Sequence, residues 1–420
     1  MKHLFSTPVL LLGMLTTPFV GAGEFGFTFK HVLENETIYE MSDVYTQTQS
    51  IRFLYKPDWR LDIGEKLTLQ FTADLSYDGY YHWRDSADPA EESQLETQFI
   101  PRNSFIKYKG DNVDLTLGAL LPKLGFTTGV SPVIDVLNAQ NRLSPFAQIN
   151  NNPLSELMLQ YEDYHLEDWT VVAFLVLGDQ VDKTPVFESR FNTLPLPFNE
   201  TDRGDLFARD LQGGVHLETE KSYGRVGITA MTIVDNTGTY ELVDAGSSLN
   251  IVHEPFHLLG VSYARELETG LFSSDLAYSL DREINGQPDA TSLYVKSTDT
   301  LHTRLQYENV SIPNLTLTMG YSYLRILAPE PDLFYPRDNH LYEAGLSWEL
   351  IDWESVFNLD IQKSEGRSLT LGNDALTATA SFAFIGINNL QVSLLGRRVF
   401  RSDGDSPYEN GLVLNLKFTF

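Results

Sequence analysis

Apolar and polar residues alternate one by one in many segments of this chain. In residues 66–77, every odd position from Leu67 to Tyr77 is apolar and every even position from Lys66 to Ser76 is polar or charged. Successive side chains of a β-strand point to opposite faces, so this alternation predicts a strand with one apolar face and one hydrated face. The same alternation near the C-terminus predicts a final strand of the same kind.

Similar segments follow one another along the chain and predict about eighteen strands, with about sixteen as the alternative count. The predicted strands cover residues 24–34, 46–56, 65–77, 102–109, 112–121, 153–162, 168–177, 209–218, 224–234, 257–265, 270–281, 299–308, 314–326, 340–350, 354–363, 375–385, 389–400 and 410–420. Two of them fit the pattern less well. Residues 169–177 are apolar on both faces, and Gly260 weakens the alternation of the strand that contains it.

The connections between these strands alternate between short and long. The short ones are residues 57–64, 110–111, 163–167, 219–223, 266–269, 309–313, 351–353 and 386–388. The long ones include residues 78–101, 122–152, 178–208, 235–256 and 282–298. Short periplasmic turns and long external loops are typical of outer-membrane barrels, whereas a soluble sandwich has no reason to sort its loops in this way. The sequence therefore predicts an all-β fold, a transmembrane antiparallel up-and-down β-barrel.

The N-terminus has the features of an export signal. A short basic start is followed by a mostly apolar stretch over residues 8–20 and by small residues up to Ala22. We expect residues 1–22 to be a signal peptide and residues 23–420 to form a single barrel domain in the outer membrane of a Gram-negative bacterium. A retained N-terminal anchor is the alternative, but the apolar stretch is shorter than the ~20 residues of a spanning helix.

Charge adds an expectation about the lumen. The chain has 30 basic and 57 acidic residues, a formal net charge of -27. An acidic pore attracts cations, and a chain of this charge is an unsuitable partner for nucleic acid. The alternation places residues of both signs on the wall of the lumen. These candidates are Arg52, Lys66, Asp74, Lys107, Asp275, Arg304, Glu343, Asp360, Arg397 and Lys417.

A wide barrel also needs something that narrows it, and residues 122–152 are the best candidate. This connection carries more apolar residues than an exposed loop requires, and they could pack on the apolar inner face of residues 168–177. The residues that would then line the constriction are Asp135, Asn138, Gln140, Asn141 and Arg142. The alternative is a loop that covers the outer rim or contacts a neighbouring subunit. Residues 178–208 are a second candidate.

Nothing in the sequence indicates catalysis or a bound cofactor. His216 and His302 are predicted to face the lumen, where a histidine is usually a solvated wall residue. Neither the G-x-S-x-G motif of hydrolases nor the H-E-x-x-H motif of metalloproteases is present. The chain has no Cys, and the acidic residues between Asp85 and Glu96 do not have the spacing of an EF-hand. We therefore expect no enzymatic activity, no metal and no cofactor.

Residues 412–420 alternate up to Phe418 and end in Phe420, and this run resembles the sorting signal of outer-membrane barrels. The resemblance implies that the barrel-assembly machinery recognises these two phenylalanines. A second region, residues 118–126 followed by 135–141, is similar to a segment of porin-like families with 16 to 18 strands. In those families a Gly-rich strand end precedes an inward-folded loop, and their common Trp-Gly pair is replaced here by Leu124-Gly125.

These features together predict an outer-membrane channel for passive diffusion of ions or small hydrophilic solutes, with a mild cation preference. A substrate-specific export or uptake conduit that works with an inner-membrane transporter is the alternative. A barrel enzyme or an adhesin is a third class. The expected partners are outer-membrane lipid, lipopolysaccharide, the barrel-assembly machinery and small hydrophilic solutes. A homo-oligomer is left open by the sequence.

Overall fold

The computed structural model describes most of the chain, and β-strands dominate it. The described residues are 25–41, 46–79, 96–129, 132–140, 153–178, 182–183, 196–200, 211–243, 248–289, 292–328, 333, 336–350, 354–365, 375–387, 390–401 and 411–419. None of them belongs to a helix that is long and apolar enough to cross a membrane. The predicted signal peptide, Asn141, Arg142 and Phe420 lie outside the described residues, and the division into signal peptide and barrel domain stays a prediction.

The strands of the described residues are numbered in chain order. The first eleven are β1 (Phe25–Met41), β2 (Thr46–Ile63), β3 (Leu67–Asp78), β4 (Thr97–Pro101), β5 (Ser104–Lys109), β6 (Val113–Leu120), β7 (Glu156–Leu166), β8 (Trp169–Val176), β9 (Phe198–Glu200), β10 (Gly213–Lys221) and β11 (Gly224–Val234). The other eleven are β12 (Thr239–Val243), β13 (Ser248–Val252), β14 (Pro255–Leu267), β15 (Gly270–Asp289), β16 (Ser292–Ile312), β17 (Leu315–Ile326), β18 (Asp338–Leu350), β19 (Ser355–Glu365), β20 (Ala375–Ile387), β21 (Leu390–Arg401) and β22 (Gly411–Thr419).

Antiparallel pairing closes the largest sheet into a barrel. Wall strands that follow each other along the chain pair side by side, and β1 pairs with both β2 and β22. The sheet has nineteen strands, but β4 and β5 pair with successive parts of β3 and form a single wall segment. The wall therefore has eighteen segments, which confirms the predicted barrel and decides the count against sixteen.

The wall is interrupted between β4 and β5, and a serine repairs the hydrogen bonding there. Ser104 Oγ accepts a hydrogen bond from Thr72 N at 2.9 Å and donates one to Thr72 O at 2.8 Å. Gly118 of β6 lies opposite the break with a φ of 156°. A Cβ at Gly118 would lie only 2.2 Å from the carbonyl oxygen of Ser104, so the close approach of the two strands requires glycine.

The two faces of the wall differ in polarity. Large apolar side chains on the outer face are exposed, among them Met319 at 63%, Trp348 at 49% and Leu305 at 43%. Residues on the inner face, such as Asp275 and Arg304, are polar and are buried within the barrel. An outward apolar band around a closed wall is the arrangement that lets strands cross a bilayer.

The two ends of the barrel differ in the length of their connections. One end has short turns such as residues 167–168 and 222–223, and we call it the short-turn end. The other end carries the connections 121–155 and 177–212, and we call it the long-loop end. A separate small sheet of β9, β12 and β13 is built from two of the long connections. The predicted sorting of short and long connections is therefore present.

The prediction of a long loop over residues 282–298 is wrong. The hairpin of β15 and β16 continues to Asp289 and Ser292, past an irregular point near Asp281, whose φ is 57°. Beyond this point the alternation is lost, because neither face of a hairpin that projects past the wall meets hydrocarbon. The projecting part contacts β12 instead, where Asn285 Nδ2 donates to Tyr240 O at 2.6 Å and Tyr240 N donates to Asn285 Oδ1 at 3.1 Å.

The first short turn also differs from its prediction, and with it the place of Lys66. The turn covers only residues 64–66 instead of 57–64, and Gly64 has a φ of 59°. Lys66 belongs to this turn, with 59% of its side chain exposed and its Nζ 3.7 Å from Asp111 Oδ1 of the next turn. Lys66 is therefore not a residue of the lumen wall. The prediction was wrong because the alternation of apolar and polar residues extends one residue before the strand begins at Leu67.

The difference between the faces predicts effects of different size when a charge is introduced at neighbouring positions of β17. Met319→Arg places a charge on the lipid-facing side near the middle of the strand, and we expect it to lower the free energy of unfolding by about 2–4 kcal/mol. Thr318→Arg places the same charge on the inner face and should have a much smaller effect. Denaturant unfolding in lipid vesicles measures both. Equal losses for the two variants would contradict the assignment of the faces.

Candidate functional site

Part of the long connection between β6 and β7 packs against the inner face of the wall. We call its described residues, 122–129 and 132–140, the inner segment. Leu124, Val133, Ile134 and Leu137 of the inner segment belong to a single buried cluster with wall residues. The wall members are Leu120, Met158, Phe174, Met231, Ile233, Phe256, Leu258 and Ala277. Phe174 lies on the inner face of β8, so the strand that was apolar on both faces in the sequence has an apolar partner on its inner side.

Two polar side chains of β15 and β16 hold the inner segment to the wall. Asp275 accepts hydrogen bonds from the backbone N–H groups of Phe126 at 3.0 Å and Thr127 at 2.9 Å, and a third from the Thr127 hydroxyl. Gln306 Oε1 accepts from Thr128 N at 2.8 Å, and its Nε2 donates to Thr128 Oγ1 at 2.9 Å. Asp275 was predicted as a wall residue, but its binding of the loop could not be predicted, because the two lie far apart in the sequence.

Asp135, a predicted constriction residue, forms hydrogen bonds within the inner segment. Its Oδ1 accepts hydrogen bonds from Leu124 N at 2.5 Å and from Gly125 N at 2.9 Å. Burial raises the pKa of Asp135 and the nearby charge of Asp275 also raises it, while the two backbone hydrogen bonds act in the opposite direction. Asp135 therefore fixes the shape of the segment.

Asn138 and Gln140, also predicted for the constriction, are part of the same internal bonding. Asn138 is buried, and its Nδ2 donates to Leu120 O at 3.3 Å and Leu154 O at 3.0 Å. Gln140 N donates to Asp182 Oδ1 at 2.6 Å. The contacts of these residues are with the loop and the wall, and their predicted role of lining an opening remains a prediction.

Arg304 and Glu343, both predicted wall residues, form an ion pair across the inner face. Arg304 Nη2 contacts Glu343 Oε2, and Arg304 is only 3% exposed. The guanidinium lies close to two glycines: a Cβ would come within 2.1 Å of Arg304 Nη2 at Gly129 and within 3.1 Å of it at Gly320. Arg304 is therefore covered by the inner segment, and its charge is balanced at the wall.

Other basic residues of the inner face are also paired with carboxylates. Arg102 Nη2 lies 2.8 Å from Asp74 Oδ2, and Arg52 Nη1 lies 3.6 Å from Glu36 Oε1. Lys107 Nζ lies between Asp114 at 2.8 Å and Glu162 at 3.2 Å. Two further pairs have one acid each: Lys56 with Glu34 at 2.5 Å, and Arg225 with Glu218 at 2.7 Å. The sequence predicted the wall positions of Arg52, Asp74 and Lys107, and it missed the pairing and the contribution of Arg102.

The remaining predicted wall residues have inward-facing register positions. Asp360 of β19 and Arg397 of β21 both lie opposite Thr379 of the strand between them. Lys417 lies opposite Glu34 across the seam between β22 and β1. Except for Lys66, these candidates have register positions on the inner face, and their role in lining the lumen remains a prediction.

The two lumen histidines contact hydroxyl groups of the wall. His216 is 3% exposed, and its Nδ1 lies 2.8 Å from Thr229 Oγ1. His302 Nε2 lies 2.9 Å from Ser322 Oγ. Among the described residues, no group of three or more His, Cys, Asp or Glu side chains is arranged to hold a metal ion.

Two residues outside the connection between β6 and β7 join the long loops by hydrogen bonds, and neither was predicted from the sequence. Asn236 Nδ2 donates to Leu137 O at 2.8 Å. Asp182 accepts from Gln140 N, and its own backbone N donates to Asn236 O at 3.1 Å. Both residues are buried, with exposures of 9% for Asn236 and 6% for Asp182. Buried polar residues in long connections would have been the only signal, and the sequence alone does not show burial.

The fold is similar to solved structures, whereas no protein-family model and no curated protein sequence matches the chain. OccK8 (OprE) of Pseudomonas aeruginosa has a TM-score of 0.57 at 11% identity, with 94% of this chain and 98% of that chain covered. The outer membrane protein OpdK of the same organism has a TM-score of 0.54 at 8% identity, over 94% and 98% of the two chains. OccK2 (OpdF) of P. aeruginosa, solved in complex with glucuronate, has a TM-score of 0.52 at 8% identity, over 94% and 97%.

These similarities extend over nearly the whole chain. At such low identity they show the fold, a closed antiparallel barrel of eighteen wall segments, and they confirm the predicted porin-like architecture.

The raised pKa of Asp135 predicts a pH-dependent effect of its removal. A raised pKa means that folded Asp135 binds its proton more tightly than the same residue in the unfolded chain. The ionised carboxylate therefore lowers the stability of the fold at high pH. This destabilisation decreases as the pH falls below the pKa of the folded state. We therefore expect Asp135→Asn to raise the free energy of unfolding at neutral pH and the gain to shrink on acidification. Denaturant unfolding across a pH series measures this.

Asp111→Asn is the matched control, because Asp111 is a carboxyl of an exposed turn with 94% of its side chain exposed. It should change stability little at any pH. A loss of stability in Asp135→Asn at neutral pH would show that the hydrogen bonds from Leu124 and Gly125 outweigh the burial of the charge.

Proposed function

We propose that this protein is an outer-membrane channel through which ions and small hydrophilic solutes diffuse passively, and that it is not an enzyme. The observation that carries the proposal is the size of the closed wall. Barrels of 16–18 strands leave an aqueous channel, because their diameter exceeds what the inward side chains can fill. The outward apolar band and the similarity to a structure named as an outer membrane protein support the location.

The inner segment supplies the narrowing in this proposal. Its apolar side chains are buried against the wall, and Asp275 and Gln306 bind its backbone, so it occupies part of the cross-section of the lumen. A loop held at several points along its length presents a fixed obstacle. The width of the remaining opening then sets which solutes pass.

Charge supports a mild cation preference. The basic residues Arg52, Lys107 and Arg304 of the inner face are each paired with carboxylates, so their attraction for anions is largely cancelled. The chain as a whole carries a formal charge of -27. A lumen whose cations are neutralised within an acidic protein concentrates mobile cations, and salt screens the effect.

The remaining partners follow from the membrane location. We propose that the barrel-assembly machinery recognises Phe418 and Phe420, and Phe418 lies on β22 with 41% of its surface exposed. We propose that residues 1–22 are removed during export, and that lipid and lipopolysaccharide surround the apolar band. The same outward surface could meet a second copy of the chain.

Substrate-specific uptake is the second candidate function. Similar folds have been solved in complex with small carboxylates, glucuronate in OccK2 (OpdF) and vanillate in OpdK. A channel of this kind would bind its solute on the way through. Addition of glucuronate or vanillate to a conducting channel separates the two functions, because a binding solute interrupts the current and a freely diffusing one leaves it steady.

Planar-bilayer recording of the purified protein tests the proposal directly. We expect stepwise current increases and, in a KCl gradient, a reversal potential on the cation-selective side that decreases at high salt. Glu36→Gln removes the partner of Arg52 and should shift the reversal potential toward anions. Glu365→Gln is the matched control, because Glu365 is paired with Lys363 and half-exposed near the end of β19. Absence of current from correctly folded protein would contradict the channel.

A further inference from the structure

The inner segment contacts the wall at three kinds of site, and together they define where it lies. Asp275 and Gln306 bind the backbone of residues 126–128. Phe126 packs under the guanidinium of Arg225, whose Cζ lies 4.5 Å from the ring centroid. The third contact is made by Ile134, which is completely buried.

Ile134 lies over a glycine of the wall. A Cβ on Gly260 of β14 would lie 2.8 Å from Ile134 Cδ1 and 3.0 Å from Ile134 Cγ1, so a side chain at this position would force Ile134 to move. Neighbouring wall residues on the same face, such as Leu258, carry full side chains that pack into the same cluster. The inner wall is therefore recessed at Gly260, and Ile134 occupies the recess.

A second glycine leaves space for the side chain of Phe126. At Gly227 of β11, a Cβ would lie 3.2 Å from Phe126 Cζ and 2.9 Å from His216 Cε1. Two apolar side chains of the inner segment, Ile134 and Phe126, thus lie over wall positions that lack a side chain. Because no positive φ is recorded for Gly227 or Gly260, their role is to leave space and not to permit an unusual backbone.

We propose that Gly260, with Gly227, positions the inner segment and thereby sets the width of the channel, while Asp275 and Gln306 fix it along the wall. This inference rests on the proposed channel function. The depth of the recess decides how far the segment projects into the lumen. A larger side chain at Gly260 pushes Ile134 away from the wall and into the opening.

A cysteine pair tests the position of the segment without any measurement of current. Because Cγ1 of Ile134 is bonded to its Cβ, the Cβ atoms of an I134C/G260C pair fall within the ~3.5–4.5 Å that a disulfide requires. The chain contains no other Cys, so every thiol belongs to the pair. We expect mild oxidation of the membrane-purified protein to remove both thiols from alkylation, as seen by intact mass. Persistent alkylation of both thiols overturns the proposal.

A size series tests the effect on width. Gly260→Val should lower the single-channel conductance, and Gly260→Val combined with Ile134→Ala should restore it, because the second change removes the atoms that clash. Gly26→Val is the matched control, since only Asp62 Cβ at 3.9 Å lies near a Cβ at that inner-face glycine. Wild-type conductance in Gly260→Val, or a loss that Ile134→Ala does not restore, overturns the proposal. Heat-dependent gel migration shows that each barrel has folded.

The two proposals fail in different ways. If the wild-type protein forms no channel, the proposed function is wrong, and the disulfide still decides whether Ile134 lies in the recess. If the wild-type protein conducts and the disulfide forms, but the size series leaves conductance unchanged, the channel stands and the positioning role of Gly260 is wrong.

Discussion

A strand that crosses hydrocarbon must leave no backbone N–H or C=O group without a partner, and the rest of this structure depends on that requirement. The wall meets it by closure, since β1 pairs with β22 as well as with β2. At the seam, Asn415 Nδ2 also donates to Glu34 Oε1 at 2.8 Å. Once the wall is closed, each strand has one face toward lipid and one toward the lumen, and the alternation of apolar and polar residues along the chain follows from this geometry.

Closure creates a second problem, because the enclosed charges must be accommodated. The wall solves it by pairing: Arg102 with Asp74, Lys107 with Asp114 and Glu162, and Arg304 with Glu343. A buried guanidinium left alone would be costly, so each pair stabilises the positions of both side chains. The same pairs remove free positive charge from the lumen. Structural neutralisation of the wall and the proposed ionic preference therefore have one physical cause, and a variant that breaks a pair changes both.

The sequence was sufficient for features that depend on local pattern and insufficient for those that depend on distant contacts. The strands could be predicted, and with them a face for each wall candidate, because position within an alternating segment determines the face. Lys66 was misplaced because the alternation does not mark the residue at which a strand begins. The extension of the β15–β16 hairpin was missed because the alternation of apolar and polar residues stops where the strands leave the lipid. The bond between Thr127 and Asp275 joins residues 148 positions apart, and no local pattern contains that information.

The interruption of a pattern can be as informative as the pattern. Gly260 weakened the alternation of its strand, and this is the position at which Ile134 fills the space of the missing side chain. Glycine in a strand usually costs stability, so its presence in the middle of a wall calls for a close approach by another group. In a barrel the outer face meets only fluid lipid, which makes no such demand. Gly260 and Gly227 therefore mark where the inner segment packs from inside, and the weakened alternation at Gly260 was a sign of this contact in the sequence.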